Sequence, residues 1–198
     1  MDKNNLTPEE SFNIINKAIS NFKMNYKESG KTFLLWGWML TLASFSHFII
    51  LKILQGMEAY DLMGLFSFGN WAVFILIGFI IMFFMERNIK KNKKVYSHLD
   101  NYITKLWQAT AAAFFVAIIL CIKLEIAPPP IMLLIAGIAT TTTGFLIKFK
   151  PLIIGGIVFY IFSIAAAFIS NENLLLITGA AIICGYLIPG YFLRSAKE

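Results

Sequence analysis

Six apolar runs occupy most of the chain, and they constrain its fold more than any other feature. Each is roughly 17–22 residues long, the length a helix needs to cross about 30 Å of hydrocarbon at 1.5 Å per residue. None shows the alternation of polar and apolar residues that is typical of membrane strands. Because backbone groups in lipid must be paired within their own segment, the runs predict helices. The predicted spans cover residues 33–54, 68–85, 106–124, 131–147, 152–170 and 174–193.

The composition agrees with an all-α, polytopic membrane protein. Of the 198 residues, 58% are hydrophobic and 14% are charged, whereas about a quarter of the residues in a soluble domain are charged. The net charge of +6 lies in short segments between apolar runs, so nucleic acid is not an expected partner. Cys121 and Cys184 lie inside apolar runs, which predicts buried thiols rather than a disulfide or a zinc site.

The basic segment 86–105 sets the predicted orientation. Lys and Arg residues are retained on the cytoplasmic side of a bacterial membrane. If this segment, both termini and the 148–150 turn are cytoplasmic, only Lys52 and Lys123 of the 17 basic residues lie outside. The sequence therefore predicts six helices with both termini in the cytoplasm. The basic side chains expected to contact lipid or a partner are those of Lys90, Lys91, Lys93 and Lys94.

Residues 1–31 are predicted to form a cytoplasmic amphipathic helix. Thr7 followed by Pro8 is typical of a helix start. The apolar side of this helix could lie in the headgroup interface, pack on a partner helix or a second copy, or fold back on the protein's own cytoplasmic loops. The transmembrane domain would then span 32–193, with 86–105 as a basic hairpin, and 194–198 would be a cytoplasmic tail. The apolar stripe recurs at helical spacing: Phe12, Ile15, Ile19, Phe22 and Tyr26.

Small residues predict where the spans pack against each other. In lipid, small residues four positions apart allow two helices to approach closely. A series of this kind runs along the third span, and single glycines lie in the fourth and sixth. Gly155-Gly156 and Pro189-Gly190 could interrupt the fifth and sixth helices near their inner ends, a placement that favours close packing at the cytoplasmic face. The residues expected to pack are Ala109, Ala113, Ala117, Cys121, Gly137, Gly144 and Gly185.

His47 is the one ionisable side chain well inside a predicted span. Such a residue is a candidate functional site by default, and Thr41 and Ser44 lie near it in the sequence. Two interpretations stay open: a solute or proton site, or a neutral imidazole that donates to a neighbouring helix. His98 belongs to the opposite side of the membrane, so the two histidines cannot share a metal or haem, and no cofactor is expected.

Three stretches resemble a family of small bacterial membrane proteins found in the Bacteroidetes. They are LLWGWMLTLAS at 34–44, KFKPLIIGGI at 148–157 and GYLIPGYFLR at 185–194. The resemblance implies a bacterial inner-membrane location. The family has no assigned activity, so it implies no site residue.

The expected function is that of a multi-pass membrane protein without catalytic machinery. The sequence has no HExxH, no Gly-x-Ser-x-Gly and no pair of carboxylates in mid-membrane, so an enzyme is not expected. The favoured hypothesis is an interaction or regulatory protein that acts through its basic cytoplasmic face. Its expected partners are a bilayer with anionic headgroups, a protein at that face, or a second copy of the chain. The alternative is a small transporter or channel for an apolar or cationic solute.

Overall fold

The protein, seen in a computed structural model, is described for backbone residues 8–92 and 98–195 and for side chains 30–88 and 99–195. Six stretches in this part of the chain are long and apolar enough to cross a membrane, which confirms the predicted all-α multi-pass fold. The helices are α1 (Pro8–Gly56), α2 (Met63–Asn92), α3 (His98–Leu124), α4 (Pro128–Leu146), α5 (Lys150–Ala167), α6 (Asn173–Ile182) and α7 (Ile188–Ser195). A 3₁₀ turn, Tyr60–Leu62, precedes α2, and a π-helix, Ile183–Leu187, joins α6 to α7.

The first span is the C-terminal part of a much longer helix. Its membrane-length segment is Gly30–Gly56, but α1 begins at Pro8 without a break. At about 1.5 Å per residue, residues 8–29 extend the helix by roughly 33 Å. The amphipathic stripe of Phe12, Ile15, Ile19 and Phe22 lies outside the described side chains.

Four of the six spans form the centre of the bundle. The closest pair is α4 with α5, and α1 packs along α6, the π-helix and α7, which α5 contacts from another side. The core includes Leu152 and Phe159 of α5, Ala181 of α6 and Tyr186 of the π-helix. The remaining spans are peripheral, since α2 packs mainly on α1 and α3 mainly on α4. Accordingly, the α2 span is the least buried of the six.

The packing stripe of α3 differs from the predicted one. Ala117 and Cys121 are buried, but Ala109 and Ala113 are exposed. A strict four-residue series turns by about 40° per step on a helix with 3.6 residues per turn, so it winds away from a contact face. The observed stripe alternates three- and four-residue steps, which keeps it on one side. Its members are Ile103, Trp107, Thr110, Phe114, Ala117 and Cys121.

The glycines of α4 and of the π-helix lie at close helix contacts. A Cβ added at Gly137 would lie 2.7 Å from the Tyr160 ring, and one at Gly144 would lie 2.7 Å from the Ile153 amide nitrogen. A Cβ at Gly185 would lie 2.4 Å from the Phe159 ring. Small residues therefore permit these contacts, as packing in lipid favours.

Three helices end on a left-handed residue that is not glycine. Glu58, Glu125 and Lys148 each have φ 55°. In each case the next amide donates to a carbonyl five residues back, as Ala59 N does to Leu54 O at 3.0 Å. This is the Schellman pattern, which usually places glycine at the left-handed position. These turns therefore carry the steric cost of a Cβ that glycine would avoid.

Candidate functional site

His47 joins α1 to α2 through both nitrogens of its ring. Trp71 donates its indole N–H to Nδ1 at 3.0 Å, and Nε2 lies 2.6 Å from the Ser67 hydroxyl oxygen. Ser67 and Trp71 are four residues apart, so α2 presents them on one face. Because an indole nitrogen can only donate, Nδ1 is the acceptor, and the neutral ring carries its proton on Nε2. His47 therefore donates to Ser67 while it accepts from Trp71.

A second set of hydrogen bonds lies one residue away on the same interface. Ser46 donates to Asn70 Oδ1 at 2.7 Å, and Asn70 Nδ2 donates to the Ala43 carbonyl at 2.8 Å. We call the five side chains that make these contacts the α1–α2 polar seam. Two helices in lipid gain little from burying apolar surface against each other, so such bonds add specific attraction. The seam consists of Ser46, His47, Ser67, Asn70 and Trp71.

Thr41 and Ser44 do not join this seam. Ser44 is fully buried and donates to the Leu175 carbonyl of α6 at 2.7 Å. Thr41 is 3% exposed, and its hydroxyl has no hydrogen-bond partner among the described residues. The structure therefore divides the three predicted site residues between two interfaces, with His47 toward α2 and Ser44 toward α6.

Thr41 lies on the side of α1 that faces the π-helix. One turn inward, a Cβ added at Gly37 would lie 2.6 Å from Leu187; one turn outward, a Cβ added at Gly179 would lie 3.2 Å from Phe45. Thr41 lies between these two positions on α1, and α1 packs along the π-helix, the one irregular turn found in the described part of the sixth span.

The π-helix also changes the backbone hydrogen bonds of the sixth span. The Ile188 amide donates to the Ile183 carbonyl, five residues back, and Pro189 has no N–H to donate. The carbonyls of Cys184 and Gly185 therefore lose the donors that a regular α-helix would give them. The sequence placed this interruption near the inner end at Pro189, whereas it lies in the middle of the span Asn173–Ser195. The effect of a proline falls on the preceding turn, which explains the shift.

Several other buried hydroxyls bond to their own helices. Thr140 donates to the Ala136 carbonyl and Thr143 to the Ala139 carbonyl, each at 2.7 Å. Thr178 makes the same bond to the carbonyl four residues before it. Such bonds satisfy a hydroxyl within one helix. These groups are therefore committed to the fold rather than free for a ligand.

At the end of the bundle where α1 finishes, Lys52 forms an ion pair with Glu172 of the α5–α6 connection. The hydrogen bond from Lys52 lowers the pKa of the Glu172 carboxyl below its ordinary value. The Lys52 ammonium also lies 5.8 Å from the centre of the Phe48 ring. This ion pair connects the C-terminal end of α1 to the last hairpin.

Basic side chains gather at the opposite end of the bundle. Gly30 and Arg194 lie side by side there, since a Cβ added at Gly30 would be 2.9 Å from the Arg194 amide nitrogen. The N-terminal extension of α1 therefore leaves the bundle next to the end of α7. Six exposed cationic residues lie at this end: Lys31, Arg87, Lys105, Lys148, Lys150 and Arg194. The predicted contact residues Lys90, Lys91, Lys93 and Lys94 lie outside the described side chains.

Sequence reasoning identified His47 but missed its partners. The available signal was the spacing of Ser67, Asn70 and Trp71, which are polar or amphipathic and fall on one face of an otherwise apolar helix. Within the described residues, no group of three or more His, Cys, Asp or Glu side chains could hold a metal ion. With the His47 ring neutral, all five side chains of the seam are uncharged donors and acceptors.

No protein-family model matches the chain, and neither a curated protein nor a solved structure is significantly similar to it. The structure itself therefore carries the functional argument.

Proposed function

We propose that this chain is a membrane-embedded interaction protein that acts through its basic end and has no catalytic role. In this proposal it resides in a bacterial inner membrane, with both termini in the cytoplasm. The charge pattern supports this orientation, because Lys and Arg are retained on the cytoplasmic side. The acids Glu58, Glu125 and Glu172 belong to the opposite end of the bundle. The family resemblance of the three sequence stretches agrees with the same location.

The continuity of α1 is the observation that carries this proposal. A helix that runs from Pro8 to Gly56 holds residues 8–29 in one direction beyond the span. Its exit is set by close contact with α7, because Gly30 leaves no room for a side chain against Arg194. A protein partner with acidic groups would meet this extension and the six exposed cations together. Contacts between opposite charges steer such a partner and fix its orientation.

Photocrosslinking in intact membranes tests the proposal. A photoreactive amino acid replaces Lys31 or Lys148 at the basic end, and Lys123, an exposed lysine at the other end, serves as the matched control. We expect a discrete protein adduct from the first two positions and none from Lys123. Adducts with lipid alone at all three positions would contradict a protein partner. Deletion of residues 8–29 should abolish the adducts at Lys31 and Lys148.

A small transporter or channel is the second candidate. It is favoured by the unpartnered Thr41 hydroxyl beside the π-helix in mid-span, since interrupted helices often line transport sites. Flux of a lipophilic cation into proteoliposomes tests it, with Thr41→Val expected to reduce the rate and Thr110→Val as the control. Absence of flux with the unaltered protein would exclude a path for this class of solute.

A further inference from the structure

The α1–α2 polar seam combines a titratable ring with the main packing contact of a peripheral helix. Because α2 packs mainly on α1, its position depends on this one interface. Farther along the same interface, the Trp36 ring of α1 lies 5.1 Å from the Phe79 ring, and its indole N–H donates to Met82 Sδ at 3.3 Å. Much of the remaining surface of α2 is exposed and apolar, including Phe68 and Phe83. In a membrane that surface is equally satisfied by lipid, so only contacts with α1 give α2 a preferred position.

We propose that His47 is a proton-binding site whose occupancy loosens the contact between α1 and α2 beside Trp71. In the neutral ring, Nδ1 accepts the Trp71 indole hydrogen, and Nε2 carries the proton that faces Ser67. A second proton can only go to Nδ1, because Nε2 already bears one. Both nitrogens of the imidazolium then donate, and the Trp71 N–H points at another N–H instead of a lone pair.

Protonation of His47 breaks one hydrogen bond of the seam and leaves the others intact. Ser67 accepts from Nε2 in either state, since its hydroxyl oxygen retains a lone pair. Asn70 remains bonded to Ser46 and to the Ala43 carbonyl. Protonation also places a positive charge in the span, where only a polar or hydrated environment compensates it. Movement of α2 away from His47 would let water reach the ring, so loosening of the contact and protonation support each other.

The other charged groups near this end of the bundle would not produce the same change in helix separation with pH. Both hydrogen-bond partners of His47 on α2 are uncharged. On α1, Lys52 is paired with Glu172, and the lowered pKa of that carboxyl keeps it ionised throughout the titration range of a histidine. Glu58 and Asp61, in the α1–α2 connection, are exposed. A response between about pH 8 and pH 5 is therefore assigned to His47.

Two readouts on the full chain in nanodiscs test this. The indole N–H resonance of Trp71, assigned by its absence in Trp71→Phe, reports the hydrogen bond itself. Spin labels at the exposed positions Ile53 of α1 and Leu65 of α2 report the separation of the helices, and labels at Ile53 and at Phe168, the residue after α5, serve as the control pair. All labelled proteins have Cys121 and Cys184 replaced.

As the pH falls, we expect the Trp71 resonance to move toward the position of a weaker hydrogen bond and the Ile53–Leu65 distance to lengthen. The populations should change by at most tenfold per pH unit, as for a single proton. In His47→Gln, whose amide can donate and accept without titrating, both readouts should be independent of pH. The Ile53–Phe168 distance should stay constant in both proteins.

Either of two results would overturn the proposal: an unchanged Ile53–Leu65 distance across this range, or an equal response in His47→Gln. If His47→Gln does not fold, Trp71→Phe provides the decision. It removes the hydrogen bond that protonation breaks, together with part of the indole ring that lies edge-on to His47. The Ile53–Leu65 distance should therefore already be longer at pH 8 and should respond little to acid. A full response in Trp71→Phe would refute the mechanism.

Discussion

Replacement of Gly156 by alanine should separate the closest helix pair in the bundle. The added Cβ would lie 2.0 Å from Thr141 Oγ1, 2.6 Å from the Thr141 amide nitrogen and 2.9 Å from its Cα. Carbon atoms in good contact lie about 3.5–4.0 Å apart, so α4 and α5 must part by roughly 1 Å or more. Two of the three atoms belong to the backbone, and a change of rotamer cannot move them away.

The expected change in the free energy of unfolding is the sum of two opposing effects. Overpacking a close contact costs about 1–3 kcal/mol, and the upper end applies here because two of the three atoms belong to the backbone. Alanine recovers about 1 kcal/mol of helix propensity over glycine. We therefore expect Gly156→Ala to lower the free energy of unfolding by about 2 kcal/mol, measured by reversible denaturation in mixed micelles.

Two further variants make this measurement decisive. Gly69→Ala adds the same methyl group to α2, where nothing lies within 4 Å, and should be neutral or slightly stabilising. In Gly156→Ala, the second change Thr141→Ala removes the nearest atom but leaves the backbone contacts, so stability should return only in part. If Gly156→Ala is as stable as Gly69→Ala, α4 and α5 do not approach each other as described.

Five other substitutions test three separate features of the fold. Glu125→Gly should raise the unfolding free energy by about 1 kcal/mol, because glycine adopts the left-handed φ of 55° without strain. Glu125→Ala removes the same charge but keeps a Cβ, so a thermal melt should show no such gain in stability. Thr41→Val should stabilise the protein by about 1 kcal/mol, because the hydroxyl is buried without a partner. Ser44→Ala, which breaks a buried bond, should destabilise it by a similar amount, and equal effects in a denaturation series would contradict this contrast. The carboxyl pKa of Glu172 is lowered in the fold, so the ion pair with Lys52 stabilises above the ordinary value of 4.5 and is lost as the pH falls through the folded pKa. Lys52→Met should therefore lower the free energy of unfolding at neutral pH but not in acid. A difference in stability between the variant and the unaltered protein that does not depend on pH would argue against the pair.

The sequence of each apolar run was enough to predict how many spans there are and that they are helical. Transfer into lipid depends on the composition of each run taken alone, and a run without internal partners can only be helical. The structure begins the second span at Met63 rather than at Phe68, a small shift at a boundary where hydropathy changes gradually. The same local reasoning placed the interruption of the sixth helix at Pro189, whereas the structure has it at Ile183–Leu187, because the proline acts on the turn before it.

The choice of helix partners was decided only by the tertiary structure. Apart from a few polar positions such as Ser67 and Asn70, the faces of these helices are apolar, so hydropathy alone does not separate a face that meets lipid from one that meets protein. Ala113 and Ala117 have the same chemistry, but only Ala117 meets another helix. His47 was recognisable as an unusual residue, but its proton position depends on Trp71, which lies 24 residues away and contacts it only because α2 folds back along α1. A hydrogen bond between two helices depends on their relative rotation and depth, and packing of the whole bundle sets both.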